Sequence, residues 1–224
     1  MAAALTTSTD TTRRVKLTEI FLSVQGEARS AGLPTVFVRL TGCPLRCSWC
    51  DTEYAFHGGN WRDFDSVLKE VGSHETRHIC VTGGEPLAQK QCIALLKEFC
   101  DLGYEVSLET SGAIDISQVD SRVSRVMDLK APGSAEESKN RLENIPLLTQ
   151  HDQLKMVLAD RTDYEWAKQQ IIQHGLVSRC EVLLSAVHGQ LEARDLAEWI
   201  CEDRLPVRFQ VQLHKYLWGD EAGR

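Results

Sequence analysis

No stretch of this 224-residue sequence approaches the ~20 consecutive apolar residues of a membrane-spanning helix, although 42% of its residues are hydrophobic. Residues Met1 to Thr12, mostly Ala, Thr and Ser with one acidic Asp10, lack the basic start and apolar run of a secretion signal. Nor is there an excess of positive charge. Lys and Arg number 25 against 32 Asp and Glu, a net charge of -7, which weighs against a general binder of nucleic-acid backbone. Internal repeats, interdomain linkers and low-complexity blocks beyond the N-terminal tail are likewise missing. With 25% charged and 7% aromatic residues, the composition excludes fibrous, collagen-like and wholly disordered classes. The length suits one α/β domain with a substantial core. The expectation is a cytoplasmic protein with a disordered tail over residues 1–14 and a single domain over 15–224, partnering neither nucleic acid nor membrane.

A disulfide framework is also absent, despite eight cysteines. Such frameworks belong mostly to small secreted domains. Cys80, Cys92, Cys100, Cys180 and Cys201 are scattered through apolar stretches and read as buried reduced thiols that pack as small hydrophobes. Cys43, Cys47 and Cys50 crowd into one short segment and need another explanation.

What the sequence does contain is alternation. Thr35–Leu40, His78–Thr82, Tyr104–Thr110, Val123–Leu129, Gln153–Leu158, Cys180–Val187 and Val207–Leu213 are short apolar runs of the kind that suits strands covered on both faces. Between them lie helical spacings: Phe64, Val67, Leu68 and Val71; Cys92, Leu95, Leu96 and Phe99; Ala193, Leu196, Ala197 and Ile200. A fourth helix is expected to open at the capping-box pattern Thr162-Asp163-Tyr164-Glu165 and to end at Gly175. Gly133 to Asn140 reads as a polar surface loop. Strands alternating with helices imply crossover units and a mainly parallel sheet, whose ligands gather where strands end.

Directly after the first of these strands comes Thr41-Gly42-Cys43-Pro44-Leu45-Arg46-Cys47-Ser48-Trp49-Cys50-Asp51-Thr52. Its C-x3-C-x2-C spacing lets three thiolates converge on a soft metal centre. A structural zinc site would want a fourth ligand, which His57 could supply. A four-iron cluster held by three cysteines would instead leave one iron open. Both chemistries stay open on spacing alone. One βα unit later, Thr82-Gly83-Gly84-Glu85-Pro86 offers two glycines for close backbone approach and a Glu-Pro pair suited to opening a helix.

The cysteine spacing, with an aromatic before the last Cys, and the Gly-Gly-Glu turn resemble those of radical SAM enzymes, which are full or partial parallel (β/α) barrels. That resemblance implies a 4Fe–4S cluster on Cys43, Cys47 and Cys50. Its open iron chelates S-adenosylmethionine (SAM), and reduction then yields a 5′-deoxyadenosyl radical. Ser23-Val24-Gln25-Gly26-Glu27, Phe37-Val38-Arg39-Leu40, Trp49-Cys50-Asp51-Thr52, Glu109-Thr110-Ser111-Gly112 and Gln212-Leu213-His214-Lys215-Tyr216-Leu217 are together similar to the 7-carboxy-7-deazaguanine synthase family. The similarity runs from about Leu17 to Tyr216. It implies a carbon–nitrogen lyase of queuosine biosynthesis that converts 6-carboxy-5,6,7,8-tetrahydropterin to 7-carboxy-7-deazaguanine and releases ammonia.

By the same resemblance, substrate contacts carry over to Val24, Gln25, Gly26, Arg39, Thr82 and His214. SAM contacts carry over to Trp49, Cys50, Asp51, Gly84, Asp128, Leu129 and Lys130, and Mg2+ to Thr52. No further side chain is given a catalytic role. A flavodoxin- or ferredoxin-like reductant and a homodimer are implied as well. Two departures stand out: Ala28 follows Gln25-Gly26-Glu27 where glycine is commoner, and Asp128-Leu129-Lys130 stands where Ser-Pro-Lys is frequent. The competing readings are a radical SAM activase of a glycyl-radical enzyme and a non-enzymatic zinc-binding module.

Overall fold

A computed structural model describes residues 13–219, 221 and 223. The chain runs β1 (Arg14–Val24), β2 (Pro34–Leu40), β3 (Asn60–Asp63), α1 (Phe64–Gly72), β4 (His78–Gly83), α2 (Cys92–Asp101), β5 (Glu105–Thr110), β6 (Ser124–Asp128), β7 (Gln153–Leu158), α3 (Arg161–His174), α4 (Leu176–Arg179), β8 (Glu181–Ala186), α5 (Ala193–Asp203), β9 (Arg208–Gln210) and α6 (Leu213–Trp218). The strands form one nine-stranded sheet in the order β3-β1-β2-β4-β5-β6-β7-β8-β9. Strand β1 is antiparallel to β2 and β3, and every pair from β2 to β9 is parallel. The two edges, β3 and β9, do not meet, so the result is the expected partial parallel barrel.

The strands are not covered by helices on both faces, as their apolar runs had suggested. Alternate residues diverge. Val36, Val38, Leu40, Ile79, Val81, Val106, Leu108, Met127, Leu154, Met156, Val182 and Leu184 join the hydrophobic core with the stripes of α1, α2, α3 and α5. The intervening residues Phe37, Arg39, Thr82, Glu109, Val126, Asp128, Lys155 and Val157 line a cavity on the other side. One face of the sheet holds the molecule together, and the other faces its chemistry.

Strands β1 and β3 escaped the sequence reading, and each for a reason. Leu17 pairs with Leu40 but Glu19 with Arg39, so a bulge at Thr18 breaks the period-2 pattern of β1. Strand β3, Asn-Trp-Arg-Asp, is a short and largely exposed edge. The expected tail falls outside the described residues as far as residue 12, but Arg14 already belongs to β1. Helix α3 opens two residues earlier than the capping box places it: Asp160, not Thr162, caps it by accepting from Asp163 N at 2.9 Å, leaving Thr162 inside, while Gly175 closes it with φ +58°. The last strand stops at Gln210 rather than Leu213, because the chain then turns into α6. Cys80, Cys92, Cys100 and Cys180 are buried as expected, but Cys201 is exposed. The 133–140 segment is irregular yet pinned, with Ser134 fully buried.

Below the cavity, the start of β7 is fixed by an ion pair. Arg125 meets Asp152 in a fork, Nε to Oδ1 at 2.9 Å and Nη2 to Oδ2 at 2.6 Å, and Thr149 donates two further hydrogen bonds. Burial alone would raise the Asp152 pKa, but Arg125 and the backbone donors outweigh it and hold the carboxyl below its usual range. Asp152→Ala is therefore expected to cost about 3–5 kcal/mol in urea unfolding, since it strands a buried guanidinium. Because the folded pKa lies below the unfolded value of ~3.9, the native carboxylate's contribution is complete above about pH 5 and fades as pH falls through the folded pKa. A variant that unfolds at the native midpoint would contradict this account.

Candidate active site

The cavity, about 520 Å³, opens where the parallel strands end. The cysteine loop forms one wall. Gly42 enters it with φ +101° and donates to Ala55 O at 2.8 Å, while buried Leu45 anchors its middle. Arg46 lies 4.3 Å over the Phe56 ring and donates to Cys43 O at 2.9 Å. Ser48 ties the loop to the next wall through Gly133 O at 2.7 Å and Ser134 O at 3.1 Å. Cys43, Cys47 and Cys50 all line the cavity, partly buried and unpaired. Burial pushes their thiols up, and Lys130 partly opposes it at all three.

The Gly83-Gly84-Glu85 turn packs directly beneath this loop. A Cβ on Gly84 would lie 2.3 Å from Gly42 O and 2.7 Å from Cys43 Cβ, so only glycine lets the two segments approach. Glu85, although part of the motif, does not face a ligand. Its carboxylate is fully buried and accepts from Thr110 Oγ1, Ser111 N, Ser111 Oγ and Leu87 N at 2.5–3.0 Å. It locks the end of β4 to the end of β5.

Across the cavity stand Gln25, Gly26 and Glu27, held by the C-terminal segment. Leu213 N donates to Gly26 O at 3.0 Å and Gln212 Nε2 to Glu27 Oε1 at 2.8 Å. The His214 ring sits so close to Gly26 that a Cβ there would meet Nδ1 at 2.1 Å. Glu27 also forms an ion pair with Lys155, whose side chain is 12% exposed. Burial works against charge on both. It is outweighed at Lys155 by Glu27, Asp128 and Glu109, which hold the ammonium far above its ordinary range, and at Glu27 by Lys155, which holds the carboxyl down. Asp128 Oδ2 accepts from Lys130 Nζ at 2.8 Å, while Oδ1 is buried without a partner. Gln25 Nε2 is buried with nothing better than the Cys80 thiol nearby, a weak acceptor.

Most of the residues singled out in the sequence come together in this one cavity. Val24, Gln25, Gly26, Arg39, Thr82 and His214 line this cavity, as do Trp49, Cys50, Asp51, Thr52, Gly84, Asp128 and Lys130. Leu129 does not: strand parity turns its side chain into the hydrophobic core, and its N–H donates to Lys155 O at 2.8 Å. His214 reaches the mouth from helix α6 rather than from the end of a strand. His57 is exposed and outside the cavity lining, so it does not join the thiols as a fourth zinc ligand. Among the described residues, no three His, Cys, Asp or Glu side chains are grouped as they would be around a single bound ion. The reading missed Glu27, Lys155 and Gln212. A lysine inside the apolar run of β7 was the available signal for one of them.

Comparison with known proteins decides the family. The radical SAM superfamily model matches residues 37–129. The 7-carboxy-7-deazaguanine synthase of Chlorobaculum tepidum is 43% identical over 211 residues, covering 93% of this chain and 96% of that protein. That of Koribacter versatilis is 38% identical over 223 residues, covering 93% and 99%. The chain belongs to the 7-carboxy-7-deazaguanine synthase family. The fold agrees: QueE from Escherichia coli superposes with a TM-score of 0.74, covering 90% of this chain and 95% of that one at 20% identity.

Family membership implies a 4Fe–4S cluster and SAM, and the residues fit both. Three unpaired, partly buried thiols lining one cavity can supply the three thiolates of such a cluster. The orphaned Asp128 Oδ1 leaves an acceptor in the same cavity that SAM could use. Replacing Gly84 with Ala should push the turn away from Gly42. We expect SAM affinity to fall at least tenfold by equilibrium binding, with a stability loss of about 1–3 kcal/mol. Unchanged SAM affinity would mean that this close approach has no functional role.

Proposed function

We infer that this member of the family converts 6-carboxy-5,6,7,8-tetrahydropterin to 7-carboxy-7-deazaguanine with release of ammonia. The observation that carries the reading is the sharing of one cavity by the three thiols, the glycine turn and a polar sheet face bearing Arg39, Glu109 and Lys155. Its volume of about 520 Å³ falls in the ~300–1,000 Å³ range of small-molecule sites. An activase acting on a protein backbone has no need of that polar face. When bound, the reduced cluster and SAM supply the radical, and the protein orients the partners.

The residues divide the remaining work. Arg39 presents a guanidinium to the substrate carboxylate, since a planar fork grips a carboxylate through two hydrogen bonds. Gln25 offers its unspent Nε2 donor to the pterin edge. Thr82 Oγ1 donates to Glu109 Oε2 at 3.1 Å and so aims that carboxylate at a pterin amine. His214 lies beside Gly26 and can both donate and accept. Trp49, Cys50, Asp51, Gly84, Asp128, Lys130 and the Leu129 backbone surround SAM.

Mg2+ is assigned to Thr52, whose hydroxyl donates to Asp51 Oδ1 at 2.6 Å and can turn its lone pairs to a cation. Substrate and water must complete that shell. The carboxyl of Asp51 is held low despite burial by Thr52 and Lys215, so it is available as an anion. A flavodoxin- or ferredoxin-like protein as reductant and a homodimer as the assembly rest on the family alone. Among the described residues no helix is long and apolar enough to cross a membrane.

The deciding experiment is anaerobic turnover of reconstituted protein with the carboxytetrahydropterin, SAM, dithionite and Mg2+. We expect 7-carboxy-7-deazaguanine and ammonia in equal amounts; intact pterin with only SAM cleaved would overturn the reading. His214→Ala should raise KM for the pterin about tenfold while SAM affinity changes less than twofold. If SAM affinity falls and pterin affinity holds, His214 belongs with the cofactor.

A further inference from the structure

Strand β1 changes face halfway along its length. Leu17 lies in the hydrophobic core and Ile20 packs against it, three residues apart, which uninterrupted alternation cannot produce. The bulge at Thr18 makes the difference, and the Thr18 hydroxyl is held there by Thr41 Oγ1 at 2.8 Å. Had the Leu17–Leu40 register continued, Thr18 would oppose Arg39 and Glu19 would point toward the helices. With the bulge, Glu19 opposes Arg39 on the cavity face, followed by Phe21 opposite Phe37. Bulges that re-aim a side chain recur beside active sites.

What the bulge delivers is a cradle for one guanidinium. Glu19 Oε1 accepts from Arg39 Nε at 2.7 Å and from Tyr54 Oη at 2.8 Å. The rings of Phe21 and Tyr54 lie 5.6 and 5.8 Å from the Arg39 guanidinium carbon. Phe21 is in turn stacked on Phe37 at 5.0 Å. Glu19 and the two rings thus fix the guanidinium plane. The terminal NH2 groups of Arg39 have no hydrogen-bond partner among the described residues, although Arg39 lines the cavity.

We propose that Glu19, placed by the β1 bulge, is the positioning residue that aims Arg39 at the substrate carboxylate, making this pair the site's carboxylate selector. This rests on the reading that Arg39 binds that carboxylate. A second effect opposes it: Glu19 is itself negative and repels an anionic ligand. Orientation and repulsion predict opposite outcomes for removal of Glu19, so they can be told apart.

The test measures equilibrium binding of 6-carboxytetrahydropterin and of tetrahydropterin lacking the carboxylate to the cluster- and SAM-loaded enzyme. Wild type should prefer the carboxylated ligand. Glu19→Ala should reduce that preference at least tenfold while leaving affinity for the decarboxylated ligand within twofold. Glu19→Gln, which keeps an acceptor in place, should retain the preference to within about threefold. Glu19→Asp keeps the charge but is one methylene short of Arg39; it should behave like the alanine variant and stands in should that variant fail to fold. Preference retained in both the Ala and Asp variants, or increased in Ala and Gln, overturns the proposal alone. Absence of preference in wild type overturns the carboxylate role of Arg39 and the proposal with it.

Discussion

The two-sidedness of the sheet is the constraint from which the rest follows. Helices α1, α2, α3 and α5 cover only one face, so the alternate residues of β2 to β8 must find company on the other. An apolar lining there would collapse or take up greasy ligands, and an uncompensated polar lining would be costly to bury. This chain fills that face with charges that satisfy one another: Glu27 with Lys155, Asp128 with Lys130, and Glu19 with Arg39. Such pairs contribute little net stability compared with hydrophobic packing. Their value lies in order, because each fixes a polar group where a polar, charged substrate must be recognised.

The same constraint explains why the C-terminal segment matters. An open sheet leaves one side of the cavity without a strand, and α6 supplies the missing wall. It is attached through Gln212 and Leu213 to residues 26 and 27, and Lys215 lies 3.8 Å from Asp51 in the cysteine loop. The segment therefore couples substrate-side and cluster-side loops that are far apart in sequence. Short ladders such as Arg208–Gln210 end where this cross-mouth bonding begins, since Gln212 spends its side chain on Glu27 rather than on a sheet neighbour.

Legibility in the sequence followed the range of the interactions. The cysteine loop and the Gly83-Gly84 turn were readable because local chemistry dictates them: a short spacing of thiols and a backbone that tolerates no Cβ. The parallel sheet was readable from alternation of element types. Features that depend on register were not. The Thr18 bulge leaves β1 without a periodic signature, and Lys155 reveals its role only when Glu27, 128 residues away, is brought beside it. Leu129 shows the same limit of side-chain direction, because its side chain joins the hydrophobic core. A motif transferred as a block of three neighbours cannot all point inward, because a strand shows every second residue to the other face.

The two positions at which the sequence reading expected departures, Ala28 and Asp128, are each supported by a neighbour. Ala28 sits at φ +64°, a left-handed conformation that costs a residue with a Cβ about 1 kcal/mol relative to glycine. Gln210 holds it there from β9, accepting from Ala28 N at 3.0 Å and donating to Ala28 O at 2.7 Å. The methyl group is itself buried, and that burial offsets part of the strain. Asp128, the second residue singled out, brings a carboxylate into the cavity, where an isolated buried anion would be untenable. Lys130, two residues on and facing the same cavity, neutralises it, while Lys155 lies opposite in register on β7. Each of these residues thus has a compensating contact from a segment that already lines the site.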